Sequence, residues 1–319
     1  MTWRIPYVRP WVPQCGAEAA YLAVMQGHLA DGYYVQKLEE ECAIRWGGHW
    51  VACSSGTAAL VLCREANEIK WRIGVPDFTF RATFEAFPNH VKMGTVWDDN
   101  AQEWLCEYTD FHPKDPWMDR ACRVTLGGFN MRVNGQAEVV ISDDCQSFGV
   151  LWPKHDCVAY SFSASKVITC GHGGIVRFES KLEADHAKRF RNHGKRDGSE
   201  YVHDAFGFNY NLADPLAAMV LAQLPFLRRG VEARWESARS LRAALRLPGA
   251  FGATLTMPIF ESRKKRDEAK ARCLSAGIEA RGTYPGPLQN EAIRDRSLFL
   301  PSGVLSQEEQ RLIASTVLQ

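Results

Sequence analysis

The sequence predicts an α/β protein: a mostly parallel central sheet flanked by helices, in a large first domain, followed by a small C-terminal α/β domain. Three observations lead there. From Ile73 to Arg177, short apolar runs alternate with polar turns, and helical patterns stand on either side of that region. Several runs, Val139-Val140-Ile141 among them, are apolar on both faces, as strands must be when helices cover both sides of a sheet. The chain has 319 residues, and beyond about 250–300 residues a single hydrophobic core stops growing, which favours a division in two.

Taken in order, Ala17–Met25 and Val35–Trp46 carry the spacing of amphipathic helices, with a turn at Asp31-Gly32 between them. Gly47-Gly48 closes the second helix, since glycine accepts the left-handed conformation that helix ends use. A strand Trp50–Cys53, the turn Ser54-Ser55-Gly56-Thr57 and a helix Ala58–Asn67 follow. Further strands are expected at Arg72–Val75, Val91–Val96, Cys122–Leu126, Val139–Ser142, Ala159–Phe162 and Gly174–Phe178. Helices are expected at Lys181–Asn192, Pro215–Leu227 and Val231–Leu245. The last unit, Ala253–Gln319, mixes both patterns, and the domains divide as 1–227 and 228–319.

Composition excludes several functions. The net charge is +1, from 38 basic and 37 acidic side chains, so no global field draws the protein to nucleic acid or a membrane surface. Basic runs at Lys188–Arg191, Lys195–Arg196 and Arg263–Arg266 read as solvated faces. The ten cysteines are scattered, with no Cys-x-x-Cys pair and no zinc-ligand spacing, so no metal is expected and the thiols suit a reducing compartment. The N-terminus lacks the apolar stretch of a signal peptide and no run is long enough to span a bilayer, which makes a soluble cytoplasmic protein the expectation.

Three features carry chemistry. Ser55-Gly56-Thr57 lies between a strand and a helix, where glycine lets an anion approach and the helix start offers free N–H groups. Asp143 follows the buried strand Val139–Ser142, at the strand end where α/β proteins place ligand contacts. Lys166 sits in Tyr160-Ser161-Phe162-Ser163-Ala164-Ser165-Lys166, a segment with few charges, and burial favours the neutral amine that attacks an aldehyde. Each alone has a plainer reading: a helix cap, a cap by Asp143 or equally Asp144, a surface lysine. Their order is the layout of fold-type-I pyridoxal-phosphate (PLP) enzymes. A phosphate needs a helix start, a pyridine nitrogen needs a carboxylate, and an aldehyde needs an amine.

Along most of its first 225 residues the chain resembles the DegT/StrS-type sugar aminotransferases, a fold-type-I PLP family acting mainly on nucleotide-linked keto sugars. The motifs that carry the resemblance are Tyr34–Glu39, Ser54–Leu60, Val75–Thr83, Val140–Gly149 with its Asp-x-x-Gln-x-x-Gly ending, Ser161–Lys166 with Gly173-Gly174, Arg191–Gly194, and Gly207–Tyr210 with Ala217-Ala218 and Gln223-Leu224 after it. The resemblance implies that Lys166 holds the cofactor as a Schiff base and later shuttles a proton, and that Asp143 pairs with the pyridine nitrogen. It further implies that Gln146 approaches the ring's phenolic oxygen, that Phe80 stacks on the ring, and that Ser55, Gly56, Thr57 and Ser161 hold the phosphate. Asn209 is expected to reach the phosphate of the neighbouring subunit in a homodimer with shared active sites. Some relatives carry histidine in place of the lysine; here the position is Lys166, and His172 reads as a loop residue.

The departures fall on the substrate side. Asn211 stands where the family usually has arginine, and Pro287-Leu288-Gln289 where it has Pro-Leu-His. The chain is also compressed between Gly94 and Arg123 and after Leu245. The expected activity is transfer of an amino group from an amino acid, glutamate or glutamine by family precedent, to a keto sugar or similar small keto compound. The alternatives are a decarboxylation, elimination or transfer on a modified nucleobase or nucleoside by the same cofactor, and a non-catalytic regulatory relative.

Overall fold

A computed structural model gives the architecture for residues 3–30, 32–67, 73–98, 103–108, 120–126, 129–133, 138–150, 155–196, 201–247, 255–283 and 294–319. Two helices, α1 (Gln14–Met25) and α2 (Tyr33–Trp46), precede the first strand, β1 (His49–Cys53). Gly47 ends α2 as expected, with a φ of 68° that favours glycine, but its ψ of −178° is extended rather than left-handed helical. Next come α3 (Gly56–Ala66), β2 (Gly74–Pro76), α4 (Arg81–Ala86), β3 (Val91–Asp98), β4 (Glu103–Tyr108), β5 (Arg120–Leu126), β6 (Phe129–Val133), β7 (Glu138–Asp143), β8 (Cys157–Ser161) and β9 (Gly174–Phe178). Helices α5 (Lys181–Arg191), α6 (Asp214–Gln223) and α7 (Leu227–Ala244) lead to α8 (Arg263–Ser275), β10 (Arg281–Gly282), β11 (Leu298–Phe299) and α9 (Gln307–Leu318).

Nine strands form one sheet in the order β1-β9-β8-β7-β5-β2-β3-β4-β6. Its centre, β8 through β3, is parallel, while β9 runs antiparallel to both β1 and β8. Neighbouring residues of β1 show that both faces are covered. Val51 and Cys53 join a buried cluster with α3 and α5, whereas Trp50 and Ala52 join another with α2 and α6. The same alternation recurs in β8 and β9, as the two-residue period of a strand requires. A buried network pins β1 from one side: Glu39 Oε1 accepts from Ala52 N (2.9 Å) and from Arg191 (2.8 Å), and Arg191 also donates to the Ala52 carbonyl (2.6 Å).

A third cluster gathers Leu241 and Leu245 beside α7's end, Cys273 of α8, Leu298 of β11 and Ile313 of α9. Helix α7 therefore runs from the second cluster, which holds Leu227, into the third. Ile5 also belongs to the third cluster, because the N-terminal stretch pairs with the C-terminal unit: Ile5 bridges Ile278 and Val8 bridges Ser302.

The structure departs from the sequence expectations in three places. Strands β4 and β6 have no counterpart in the reading: Glu103-Trp104-Leu105-Cys106-Glu107-Tyr108 carries neither strict alternation nor a continuous apolar stretch, whereas Phe129-Asn130-Met131-Arg132-Val133 alternates strictly, a strand signal that the reading passed over. Six-residue α4 is too short for a helical period to show. The break between the last two helices of the sheet unit falls at a 3-10 turn, Leu224–Phe226, rather than at residues 228–230. Pro225 lacks the N–H that a continuing helix would use, while Gly230 is tolerated inside α7. Among the described residues, no helix is long and apolar enough to cross a membrane, and no group of three His, Cys, Asp or Glu is placed to hold a metal.

Candidate active site

The chain turns sharply where β1 ends. Ser54 N donates to the Tyr210 carbonyl (2.8 Å), and Ser55 caps α3, its Oγ accepting from Ala58 N at 3.0 Å. A Cβ at Gly56 would lie 2.8 Å from Ser161 Cβ and 2.9 Å from Cys145 Sγ, so only glycine lets the ends of β7 and β8 close on this turn. At Gly174 a Cβ would collide with the Ser55 carbonyl, which explains the glycine after the lysine segment. The first N–H groups of α3 have no helical partner and give this corner its affinity for anions.

Asp143 closes β7 and is buried, 5% exposed. Its Oδ2 accepts from Thr83 Oγ1 (2.7 Å), which lies 3.0 Å from Thr79 Oγ1, and its Oδ1 accepts from Cys145 N (3.2 Å). Asp144 faces elsewhere. Its carboxylate accepts from Ser142 Oγ (2.6 Å) and lies 3.5 Å from Arg123, and its N–H bonds the Ala159 carbonyl (2.9 Å). Among the described residues between β7 and β8 no helix follows for either aspartate to cap, and of the two Asp143 lines the cavity.

Lys166 rides on a loop closed at its base, where Phe162 N donates to Gly173 O (2.8 Å) and Cys170 N to Phe162 O (3.1 Å). Two side chains from later helices hold it. Gln223 of α6 accepts from Thr169 N (3.1 Å) and donates to Thr169 O (2.8 Å). Arg234 of α7 donates to the carbonyls of Ser165 (2.9 Å) and Lys166 (2.7 Å). Burial pushes the Lys166 ammonium below its ordinary pKa of 10.5; Cys145 and Asp143 oppose that shift, and the Arg234 charge adds to it. Burial likewise pushes the Cys145 thiol well up.

These parts enclose a cavity of about 550 Å³, lined by Ser55, Gly56, Thr57, Phe80, Asp143, Gln146, Ser161 and Lys166 together. Asn209 stands apart from the other predicted site residues. It is exposed, bridges Asn192 through its main chain, and does not line the cavity of its own chain. Asn211 is used locally, its Nδ2 donating to Asn192 Oδ1 (3.3 Å). His172 does line the cavity, and Gln289 lies outside the described residues.

Sequence reasoning missed Thr83, Cys145, Gln223 and Arg234, and also the outer wall. There Arg281 sits 4.6 Å over the Tyr7 ring and is held by Glu279 (2.6 Å), which also accepts from Tyr7 N (2.9 Å). Burial, helped by Glu279 and opposed by Arg281, pushes the Tyr7 hydroxyl up to about 12. Thr83, Gln223, Arg234 and Tyr7 meet partners far away in sequence, which no local pattern announces, while Cys145 serves Asp143, two residues away, through its main chain, which its side chain does not announce.

A model of the DegT/DnrJ/EryC1/StrS aminotransferase family matches residues 17–105 and 135–297. The chain belongs to that family. A GDP-perosamine synthase of Vibrio cholerae is 33% identical over 257 residues, covering 72% of this chain and 68% of that protein. The GDP-perosamine synthase of Escherichia coli O157:H7 is 28% identical over 61% of this chain, and the match spans 58% of its own length. Among solved structures, Helicobacter pylori PseC, an aminotransferase of pseudoaminic acid biosynthesis, shares the fold at a TM-score of 0.82 and 18% identity, with 98% of each chain covered. DegT-family aminotransferases are PLP enzymes. The donor set here suits that cofactor, for the cavity offers a buried carboxylate, an amine biased toward its neutral form, and hydroxyls at a helix start fitted together by glycines.

Proposed function

We propose that this chain moves an amino group from an amino acid, glutamate or glutamine, to a keto sugar carried on a nucleotide, and that it works as a cytoplasmic homodimer. The observation that carries the reading is the meeting of Lys166, Asp143 and the start of α3 in one cavity. Two relatives matched over much of the chain are named GDP-perosamine synthases, which supports a nucleotide-linked sugar as acceptor.

Ser55, Gly56, Thr57 and Ser161 would hold the cofactor's phosphate, with α3 supplying N–H donors. Asp143 would hold the pyridine nitrogen, its carboxylate oriented by Thr83 and the Cys145 N–H. Gln146 would approach the phenolic oxygen, and Phe80 would cover the ring. Bound PLP supplies an aldehyde that takes an amino group and a ring that withdraws electrons. Lys166, whose pKa burial lowers, is biased toward the nucleophilic amine, and its Nζ can take a proton from the reacting carbon and return it. Tyr7, Arg281 and Phe299 on the outer wall narrow access for water and face the substrate side.

Asn209 would complete the phosphate site of a second subunit. Exposed apolar side chains around it, Tyr201 (90%) and Phe206 (73%), and on α1, Tyr21 (63%) and Met25 (66%), support burial of these surfaces in a dimer.

The test is mass spectrometry of PLP-loaded protein given glutamate or glutamine with a panel of nucleotide-linked keto sugars. An amino-sugar nucleotide should form with the wild type and not with Lys166→Ala. Absence of amino product from every pair, or transamination by Lys166→Ala at the wild-type rate, refutes the reading. Decarboxylated or eliminated products would favour a different PLP reaction.

A further inference from the structure

We propose that Arg234 is a positioning residue for Lys166: from α7 it grips the two peptide carbonyls that flank the Lys166 Cα and sets an uncompensated positive charge beside the amine. The proposal rests on the reading of Lys166 as the reacting amine.

Arg234 is 5% exposed, yet it lines the same cavity as Lys166. Its two terminal nitrogens donate to consecutive carbonyls, Ser165 O at 2.9 Å and Lys166 O at 2.7 Å. That fork is the geometry of a guanidinium, and an ammonium cannot reproduce it. Among the described residues no carboxylate lies within 4.0 Å of it, and burial lowers its own pKa to about 10. A cation kept in the interior without a counter-ion is costly, and an apolar side chain would fill the same space at less cost. One turn earlier, a Cβ at Gly230 would lie 3.2 Å from Val167 Cγ1, so α7 is pressed against this loop. Gln223 secures the loop's far end at Thr169, which leaves Arg234 as the grip beside the amine.

The charged and titratable groups around Lys166 come from several elements. Asp143 and Cys145 stand at the end of β7, Arg234 on α7, His172 on the loop beyond, and Tyr7 and Arg281 across the cavity. Asp143 favours the protonated amine and Arg234 opposes it. Removing the Arg234 charge should therefore raise the pH at which Lys166 becomes reactive.

The experiment uses the full chain stripped of cofactor. Labelling of Lys166 by 1-fluoro-2,4-dinitrobenzene is followed by peptide mass spectrometry across pH, for the wild type, Arg234→Gln and Arg234→Lys. Arg234→Gln should move the midpoint to higher pH, and a rise of one unit slows labelling at neutral pH about tenfold. Arg234→Lys should keep the midpoint, through its charge, while the loaded enzyme loses kcat, through the missing fork. A folded Arg234→Gln with an unmoved midpoint overturns the charge half, and an undiminished kcat in Arg234→Lys overturns the grip; the latter decides the grip even if Arg234→Gln does not fold. The reading of Lys166 fails separately, if bound PLP does not protect Lys166 from labelling.

Discussion

The turn at Ser54–Thr57 and the loop that carries Lys166 face each other across one cavity, but different forces hold them. The turn is fixed mainly by its own neighbours: Ser55 caps α3 through Ala58 N at 3.0 Å, and Ala59 N bonds the Ser55 carbonyl at 2.9 Å. The lysine loop is held by Gln223 and Arg234, which follow their partners by 54 and by 68 or 69 residues. A locally fixed element takes its shape from a few residues of sequence. A remotely fixed one has its geometry only when α6 and α7 are docked, so its precision is a property of the tertiary structure.

The severest way to break this arrangement is Gly174→Ala, which strikes where the two regions meet. Its new Cβ would press on the Ser55 carbonyl, backbone against strand, and should cost about 3 kcal/mol or more. Denaturant unfolding measures it, and a variant as stable as the wild type would remove the steric account of that glycine. Gln223→Ala comes next. It leaves Thr169 N–H and C=O without their side-chain partner in a buried setting, a loss of about 2–6 kcal/mol at about 1–3 kcal/mol per unpaired group. Cofactor affinity, read by dialysis, should weaken with it. Ser55→Ala removes one cap and should cost only about 1 kcal/mol of unfolding free energy. If Ser55→Ala proved the more damaging of the two, the contrast between local and remote support would be wrong.

The smallest effect is a pH dependence. Because the folded pKa of Lys166 is lowered, the unfolded chain binds the extra proton between that lowered pKa and 10.5, and stability from this group rises with pH across the window. Lys166→Met should thus stabilise the cofactor-free chain at neutral pH, with the gain over wild type shrinking toward pH 10.5. Thermal unfolding at several pH values checks it; a gain that grows with pH contradicts the sign.

The same contrast explains what could be read from the sequence. Ser55-Gly56-Thr57 was legible because strand, cap and glycine are consecutive, and the sheet centre because its strands are continuous apolar runs. Lys166 and Asp143 became legible as an ordered set, since the cofactor's chemistry demands a phosphate site, a carboxylate and an amine. Arg234 looked like any cation on an amphipathic helix, and Gln223 like a helix-end amide, because their partners are main-chain groups whose identity no side chain announces. Thr83 reads as an ordinary β-branched residue until Asp143 is placed 2.7 Å away. Strand β4 stayed hidden since its pattern is mixed, while the five alternating residues of β6 were a legible but short signal.

The pairing of Ile5 and Val8 with Ile278 and Ser302 has a consequence for biosynthesis. Tyr7 and Glu279, which together seat Arg281, are 272 residues apart, so the outer wall needs both an early and a late part of the chain. As chains emerge from the ribosome in order and fold domain by domain, the Lys166 loop and its sheet leave the exit tunnel well before that wall has its second half. The stretch around Ile5–Val8 waits, unpaired, until Ile278 and Glu279 have been made. The wall across the cavity from Lys166 therefore forms only once the segment around Ile278–Ser302 meets the one around Ile5–Val8.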